Sequence, residues 1–253
     1  RTADADATVD RLGGPIDVSA APLWITLDPL PGVVDETRRA ARLPLLSYTE
    51  QPLATTPLVA VTTTALAAPL TTACGEPVVW RCLGDITGTP WSAVGGPGGT
   101  VRPGFPPLSG AIGQLSTTAA VAGYFDPAPV QSDDPAFSAW VRRLARAVRS
   151  GQLSGGTAVG TIQVRSSALD VAIGIAPELT PGNTARFAIH AMSPGPDLHA
   201  VLAVPEGADV PAGVAASVRE ALVASGWRAS DDADSGIDAR TVLVVRTLWE
   251  ELS

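Results

Sequence analysis

Apolar residues recur at helical spacing in three stretches of the chain, and these stretches predict three helices. The clearest stretch follows the acidic pair at 133–134 and ends at Gly151. Its apolar positions, which share one helix face, are Phe137, Trp140, Val141, Leu144 and Val148. A second helix is predicted after the proline pair at 106–107, and a third spans 211–226.

Runs rich in β-branched and apolar residues predict strands around these helices. The runs are 15–18, 23–27, 58–64, 157–164, 186–190 and 198–204. Of the other segments, 35–42 carries helix formers, and 239–252 fits either a helix or a strand. Because helices and strands alternate along the chain, the pattern favours an α/β fold over a β-sandwich.

The charged residues restrict the chemistry that this chain can perform. Its 25 acidic residues are balanced by 17 arginines and no lysine, so the net charge is −8. The lack of lysine excludes a phosphate-binding Walker lysine and a Schiff-base lysine. An acidic surface also repels nucleic acid, so we expect no nucleic-acid partner.

The two cysteines, Cys74 and Cys82, are separated by seven residues. A zinc site would need two further ligands, and the neighbouring sequence offers none. A disulfide across this short loop would stabilise the fold by about 2–3 kcal/mol. The alternative is a pair of buried free thiols in a cytosolic protein. The disulfide is the favoured interpretation, and it indicates an exported protein.

Acid–base catalysis has few candidate residues in this sequence. The two histidines, His190 and His199, lie at the end of an apolar strand run and inside another, where packed or surface histidines are common. A hydrolase would need one of them exposed and within about 3 Å of a serine hydroxyl. The acidic segment 231–238 is similar to a calcium loop, but its ligand spacing fails. We therefore expect a protein that is not an enzyme, with no catalytic residue, no metal and no cofactor.

Small hydroxyl residues at the ends of predicted elements are the remaining candidates for ligand contacts. They are Thr55, Thr56, Ser109, Ser166 and Ser167. A serine at a helix start, next to free backbone N–H groups, can hold an anion or a polar ligand. Simple helix capping is the competing interpretation, and ligand binding requires several such positions to meet in one cleft.

Six segments of the chain occur in an informative order. They are PIDVSAAPLW (15–24), ATTPLVAV (54–61), CGEPVVWRCLGDITGTPW (74–91), VRPGFPPLSGAIGQLSTTAAVAGYF (101–125), LHAVLAVP (198–205) and VREALVASGWR (218–228). In this order the chain resembles the extracellular solute-binding proteins of the type II periplasmic-binding fold. The resemblance is to a divergent lipoprotein group of high-GC Gram-positive bacteria, often fused to a von Willebrand factor A domain.

The resemblance implies a two-lobed α/β fold. Residues 1–14 would be a polar tail or a short leading helix, 15–57 and 198–253 would form lobe 1, and 58–197 would form lobe 2. The implied function is non-catalytic capture of a small polar or anionic solute in the cleft between the lobes, which would close about a hinge.

The same resemblance suggests site residues, partners and a location. Thr56 and Ser109 would be polar contacts, and Trp24 and Trp91 would be stacking walls. The partners would be a small-molecule solute and a membrane transporter or an adjoining von Willebrand factor A domain. The protein would be extracellular and anchored to the cell envelope by a segment outside this sequence.

The chain also departs from the family pattern. Family members begin with a strand–turn–helix unit that forms one wall of the ligand site, whereas 14 polar residues precede Pro15 here. Either a further segment precedes residue 1 or the first lobe is reduced. A reduced lobe favours the alternative function, a cell-envelope interaction or sensor module that has lost ligand binding. Where the family has a Ser-Glu pair, this chain has Pro177 and Glu178.

Overall fold

A computed structural model of the chain describes residues 4–16, 23–49, 51–128, 133–151, 157–179, 181–208, 210, 212–229 and 236–252. The helices are α1 (Ala5–Gly13), α2 (Leu30–Ala40), α3 (Thr64–Cys74), α4 (Trp80–Ile86), α5 (Ala111–Phe125), α6 (Pro135–Gly151), α7 (Ala158–Val164), α8 (Val214–Ala224) and α9 (Ala239–Leu252). The strands are β1 (Trp24–Leu27), β2 (Leu46–Tyr48), β3 (Ala54–Thr63), β4 (Val78–Val79), β5 (Pro103–Gly104), β6 (Val171–Ile175), β7 (Phe187–Ser193) and β8 (Asp197–Pro205). The strands form an open mixed sheet, which confirms the α/β class predicted from the sequence.

The chain divides into two compact units, each made of separate segments. The first unit comprises Arg1–Thr56, Ser109–Ala111 and Pro196–Leu243. The second unit comprises Pro57–Leu108, Ile112–Gly195 and Val244–Ser253. Strand β3 therefore begins in the first unit and continues in the second, and the short Ser109 segment is an excursion of the chain into the first unit.

Strand β8 is the centre of the first unit. Its Ala203 pairs antiparallel with both Trp24 of β1 and Tyr48 of β2, so these two strands lie on opposite edges of β8. All residues of β8 after Asp197 are buried, which explains its nearly continuous apolar sequence. Helices α1 and α2 pack against each other and bury a row of apolar side chains: Val9, Leu12, Leu30, Val33 and Val34.

The second unit is built around the rest of β3. This strand pairs antiparallel with β6 on one edge and with β7 on the other. Strand β5 then adds parallel to β6, and β4 adds parallel to β7. Helix α7 covers part of the sheet, and its Val159 and Ile162 join Val61 in an apolar cluster.

Aromatic side chains form a second core in the same unit, where α4, α5 and α6 meet. Tyr124 lies 5.2 Å from Phe137 and 5.1 Å from Trp140, measured between ring centroids. The indole N–H of Trp140 donates to the carbonyl of Arg81 at 3.0 Å. A side chain at Gly84 would collide with the Trp140 ring, so this position of α4 must remain a glycine.

Several sequence predictions hold at the level of elements. The amphipathic stretch at 133–151 forms α6, with Phe137, Trp140, Val141 and Leu144 buried. Asp134, one of the two candidate caps, accepts the Ala136 N–H at 2.8 Å. The ambiguous segment 239–252 is the helix α9, and the helix expected at 211–226 is α8.

Other predictions are wrong. The segment 157–164 is helix α7 rather than a strand, because Thr157 caps the Gly160 N–H at 3.0 Å and Ala158, Val159 and Ile162 are buried at helical spacing. The polar tail proposed for 1–14 is also wrong for most of that range, since residues 5–13 form α1. Of the two alternatives for this segment, the leading helix is the correct one, with Asp4 as its cap.

Candidate functional site

Three of the four predicted ligand contacts lie in the first unit, and their exposure differs. Thr56 is only 1 % exposed on β3. Trp24, the first residue of β1, and Ser109, two residues before α5, are both partly exposed. The Ser109 carbonyl accepts the N–H groups of Ala5 at 2.7 Å and Asp6 at 3.3 Å, which satisfies donors in the first turn of α1. Trp24 and Ser109 are therefore the two that offer surface to a solute.

Trp91, the fourth predicted contact, lies in the second unit. It starts the 3-10 turn Trp91–Val94, which packs against α3, and it is 1 % exposed. Its indole Nε1–H is buried and finds no hydrogen-bond partner among the described residues. A buried donor without a partner reduces the stability of the fold by about 1–3 kcal/mol. An acceptor oxygen placed next to this N–H would therefore stabilise the protein.

The disulfide predicted between Cys74 and Cys82 is confirmed. It joins the last residue of α3 to the third residue of α4, with the two Cα atoms 5.4 Å apart. The loop that it closes contains Glu76 and strand β4. The bond therefore fixes both ends of a segment that lies along the edge of β7.

Both histidines are buried, as expected for packed imidazoles. His199 is 2 % exposed within β8. His190 on β7 is 4 % exposed and lies between two partners: Glu76 Oε2 is 2.8 Å from Nδ1, and Thr62 Oγ1 is 3.2 Å from Nε2. The order acid, imidazole, hydroxyl is that of a catalytic relay, but Thr62 is 0 % exposed. A substrate cannot reach this hydroxyl in the observed conformation.

Glu178 is an acidic side chain whose pKa is strongly raised. It follows β6 in the 3-10 turn Ala176–Glu178, and its carboxylate accepts the Ile175 N–H at 3.4 Å and bonds to the Thr157 side chain. A Cβ at Gly174 would collide with Glu178 Oε2, so the glycine makes room for the carboxyl group. Burial raises the pKa of Glu178 to about 7, and the two hydrogen bonds oppose that shift only in part.

An apolar groove lies on the first unit, between β1 and α8. Its volume is about 550 Å³, and it is lined by Ile25, Ala212, Gly213, Val214, Ser217, Val218, Ala221 and Leu222. Ile25 is 48 % exposed, and no residue of α8 is buried. Among the described strands only β8 pairs with β1, so the other edge of β1 has no strand partner in that part of the chain.

Three of the acidic residues of segment 231–238 lie outside the described residues. Asp238 is described and caps α9: its Oδ1 accepts the Thr241 N–H at 2.9 Å, and the Thr241 hydroxyl lowers the pKa of this carboxyl group. Within the described ranges, no group of three or more His, Cys, Asp and Glu side chains is placed to hold a metal ion. No helix in the same ranges is long and apolar enough to cross a membrane.

Sequence reasoning missed Glu76, although it considered its partner His190. The two residues are 114 positions apart, and no local pattern connects a loop carboxylate to a distant strand. The chain matches no protein-family model and no curated protein sequence.

Proposed function

We propose that this protein is an extracellular solute-binding protein that captures a small polar or anionic ligand without converting it chemically. The observation that carries the proposal is the buried indole N–H of Trp91, which has no hydrogen-bond partner among the described residues and which a solute would reach only when the residues covering it move apart. An oxygen atom of a bound solute would accept this hydrogen bond and remove the cost of leaving the donor unpaired. A carboxylate, phosphate, sulfate or sugar hydroxyl has the required chemistry.

The organisation of the chain supports the same proposal. The chain passes between the two compact units five times, and two of these passages, at Thr56–Pro57 and Gly195–Pro196, lie close to the lobe bounds that the family resemblance implies. The two-lobed type II periplasmic-binding fold is therefore part of the proposal. So are its partners, a membrane transporter or an adjoining von Willebrand factor A domain. The disulfide supports an oxidising, extracellular location.

A thermal-shift screen against oxyanions, sugars and amino acids tests this function. A true ligand at 100 times its Kd should stabilise the protein by about 2.7 kcal/mol, which is a visible shift in Tm. For the hit, calorimetry on Trp91→Phe should show an affinity loss of about fivefold, since the variant keeps an aromatic ring but lacks the donor.

Ser92→Ala is the matched control, because Ser92 is exposed beside Trp91. Its Kd should equal that of the unmodified protein. A flat thermal response across all ligand classes would contradict solute binding. If instead Trp91→Phe raised the Tm and left the Kd unchanged, the indole N–H would be a cost of folding rather than a ligand contact.

A second candidate function is an interaction module on the same fold, and the apolar groove of the first unit favours it. The groove is lined in part by Ile25 of β1, a strand that pairs only with β8 among the described strands. An extended apolar segment of a partner could pair its backbone with β1 and place alternate side chains in the groove. Leu23 is 39 % exposed and Ile25 is 48 % exposed, so both apolar side chains are accessible to a partner.

A designed peptide can test this second function. A strand of alternating Val and Thr, with a terminal Lys at each end for solubility, should bind the protein in calorimetry. Val218→Glu places a charge in the groove and should weaken binding at least about tenfold. Val164→Glu is the control, because Val164 is 83 % exposed on the second unit. Equal effects of the two substitutions, or no binding at all, would rule out the groove as the docking site.

A further inference from the structure

Two hydrogen bonds in the second unit connect the buried side chains of Thr62 and His190 to the carboxylate of Glu76. Thr62 is 0 % and His190 is 4 % exposed, whereas the side chain of Glu76 is 46 % exposed. Glu76 uses both carboxylate oxygens on β7, since Oε1 also accepts the Ala191 N–H at 3.2 Å. Glu76 is thus the solvent-facing one of these three residues and lies over the buried imidazole.

Glu76 owes its position to the short segment that carries it. Gly75, Glu76, Pro77 and Val79 are exposed, and Val78 is the one buried residue of the loop between Cys74 and Trp80. Val78 is therefore the one side chain of the segment 75–79 that is buried in the core. Two-residue β4 pairs with β7, at Val78↔Met192 and Val79↔Ser193, and this is its main contact to the sheet.

The disulfide restrains this segment at both ends. Cys74 is the last residue of α3 and Cys82 lies in the first turn of α4. The bond therefore holds the end of one helix next to the start of the other, with the loop between them. Without the bond, the segment would be held by the pairing of β4 with β7, by the Glu76 carboxylate and by the buried Trp80 that follows it, whose indole N–H donates to the carbonyl of Pro194 at 2.8 Å. A short, exposed loop with so few contacts belongs to the part of a protein that opens first.

We propose that the Cys74–Cys82 disulfide is a redox-sensitive latch that keeps Glu76 over His190. An external dithiol opens the latch: its thiolate attacks one cysteine sulfur to form a mixed disulfide, and its second thiol displaces the remaining protein sulfur. Two electrons pass to the protein, giving two cysteine thiols and the oxidised cyclic reductant. The loop then leaves β7, and solvent reaches His190 and Thr62.

Carbethoxylation of histidine followed by mass spectrometry tests the latch, and the chain supplies its own control. His199, the second histidine, is also buried and belongs to the first unit, whereas the disulfide loop belongs to the second. In the double variant Cys74→Ser/Cys82→Ser, the modification rate of His190 should rise at least about tenfold over the oxidised protein. The rate at His199 should not change.

Two further measurements keep the test decisive if the double variant folds poorly. Hydrogen exchange of the Ala191 amide should accelerate when the unmodified protein is treated with a dithiol, because this amide donates to Glu76. Glu76→Ala, with the disulfide intact, should raise the His190 modification rate while leaving His199 unchanged. An unchanged His190 rate in the double cysteine variant, or an equal rise at both histidines, would overturn the proposal.

Discussion

Replacing Arg38 by Met should destabilise the first unit by about 3–5 kcal/mol, because three backbone carbonyls lose a charged donor at about 1–3 kcal/mol each. Arg38 is 2 % exposed on α2, and its guanidinium donates to the carbonyls of Leu12 at 2.6 Å and Gly14 at 2.7 Å, and to that of Pro44. Met fills a similar volume but supplies no donors. The carbonyls at the end of α1 would lose their partners, and α1 would lose its tie to α2.

Hydrogen exchange of the α1 amides is the sharpest measurement, because it reports this unit separately from the second. Protection over residues 5–13 should fall strongly in Arg38→Met. Arg39→Met is the matched control: Arg39 is the next residue on the same helix, its side chain is 56 % exposed, and it makes a single ion pair with Glu36. Its loss should cost less than about 1 kcal/mol. Equal loss of protection in both variants would contradict the buried role of Arg38.

The sequence predicts best where one strong local pattern decides the structure. Helix α6 is such a case, since its apolar residues repeat over four turns between an acidic cap and Gly151. The disulfide is another, because two cysteines in a short loop leave few alternatives. Strand β8 follows from a long apolar run in which even His199 is buried.

Prediction fails where β-branched composition and local capping disagree. The segment LVAVTTT at 58–64 has a β-branched composition and does form a strand as predicted, within β3, with only Thr64 already in helix α3. In α7 the same bias toward Val, Thr and Ile suggested a strand, whereas the Thr157 cap and the spacing of buried residues favour a helix. Capping and packing override the intrinsic strand propensity in α7 alone.

The residues with the most unusual environments could not be found from the sequence at all. Arg38 looks like any arginine on an amphipathic helix, yet it bonds to carbonyls 24 and 26 positions away. Glu76 and His190 meet only because β7 pairs with β3 and the disulfide loop lies along its edge. Such contacts depend on the order of strands in the sheet, which local patterns do not encode.

A pH titration of stability should reveal the buried carboxyl group of Glu178. Its pKa is about 7 in the folded protein because of burial, above the ordinary value of 4.5 that it takes when the chain unfolds. The folded state therefore binds a proton more tightly, and the resulting stabilisation is complete below pH 4.5. It is lost as the pH rises through 7 and amounts to about 3 kcal/mol for a shift of this size. Denaturant unfolding at several pH values measures it.

Glu178→Gln isolates this contribution, because the amide keeps the shape of the protonated carboxyl group but does not titrate. The variant should match the unmodified protein near pH 4 and be more stable by up to about 3 kcal/mol near pH 8. Asp35, whose pKa burial also raises, is present in both proteins, so its effect cancels in the difference. Glu251→Gln, at an exposed position of α9, should show no such divergence. A constant difference between Glu178→Gln and the unmodified protein across this range would mean that Glu178 stays ionised in the fold, with its two hydrogen bonds outweighing burial.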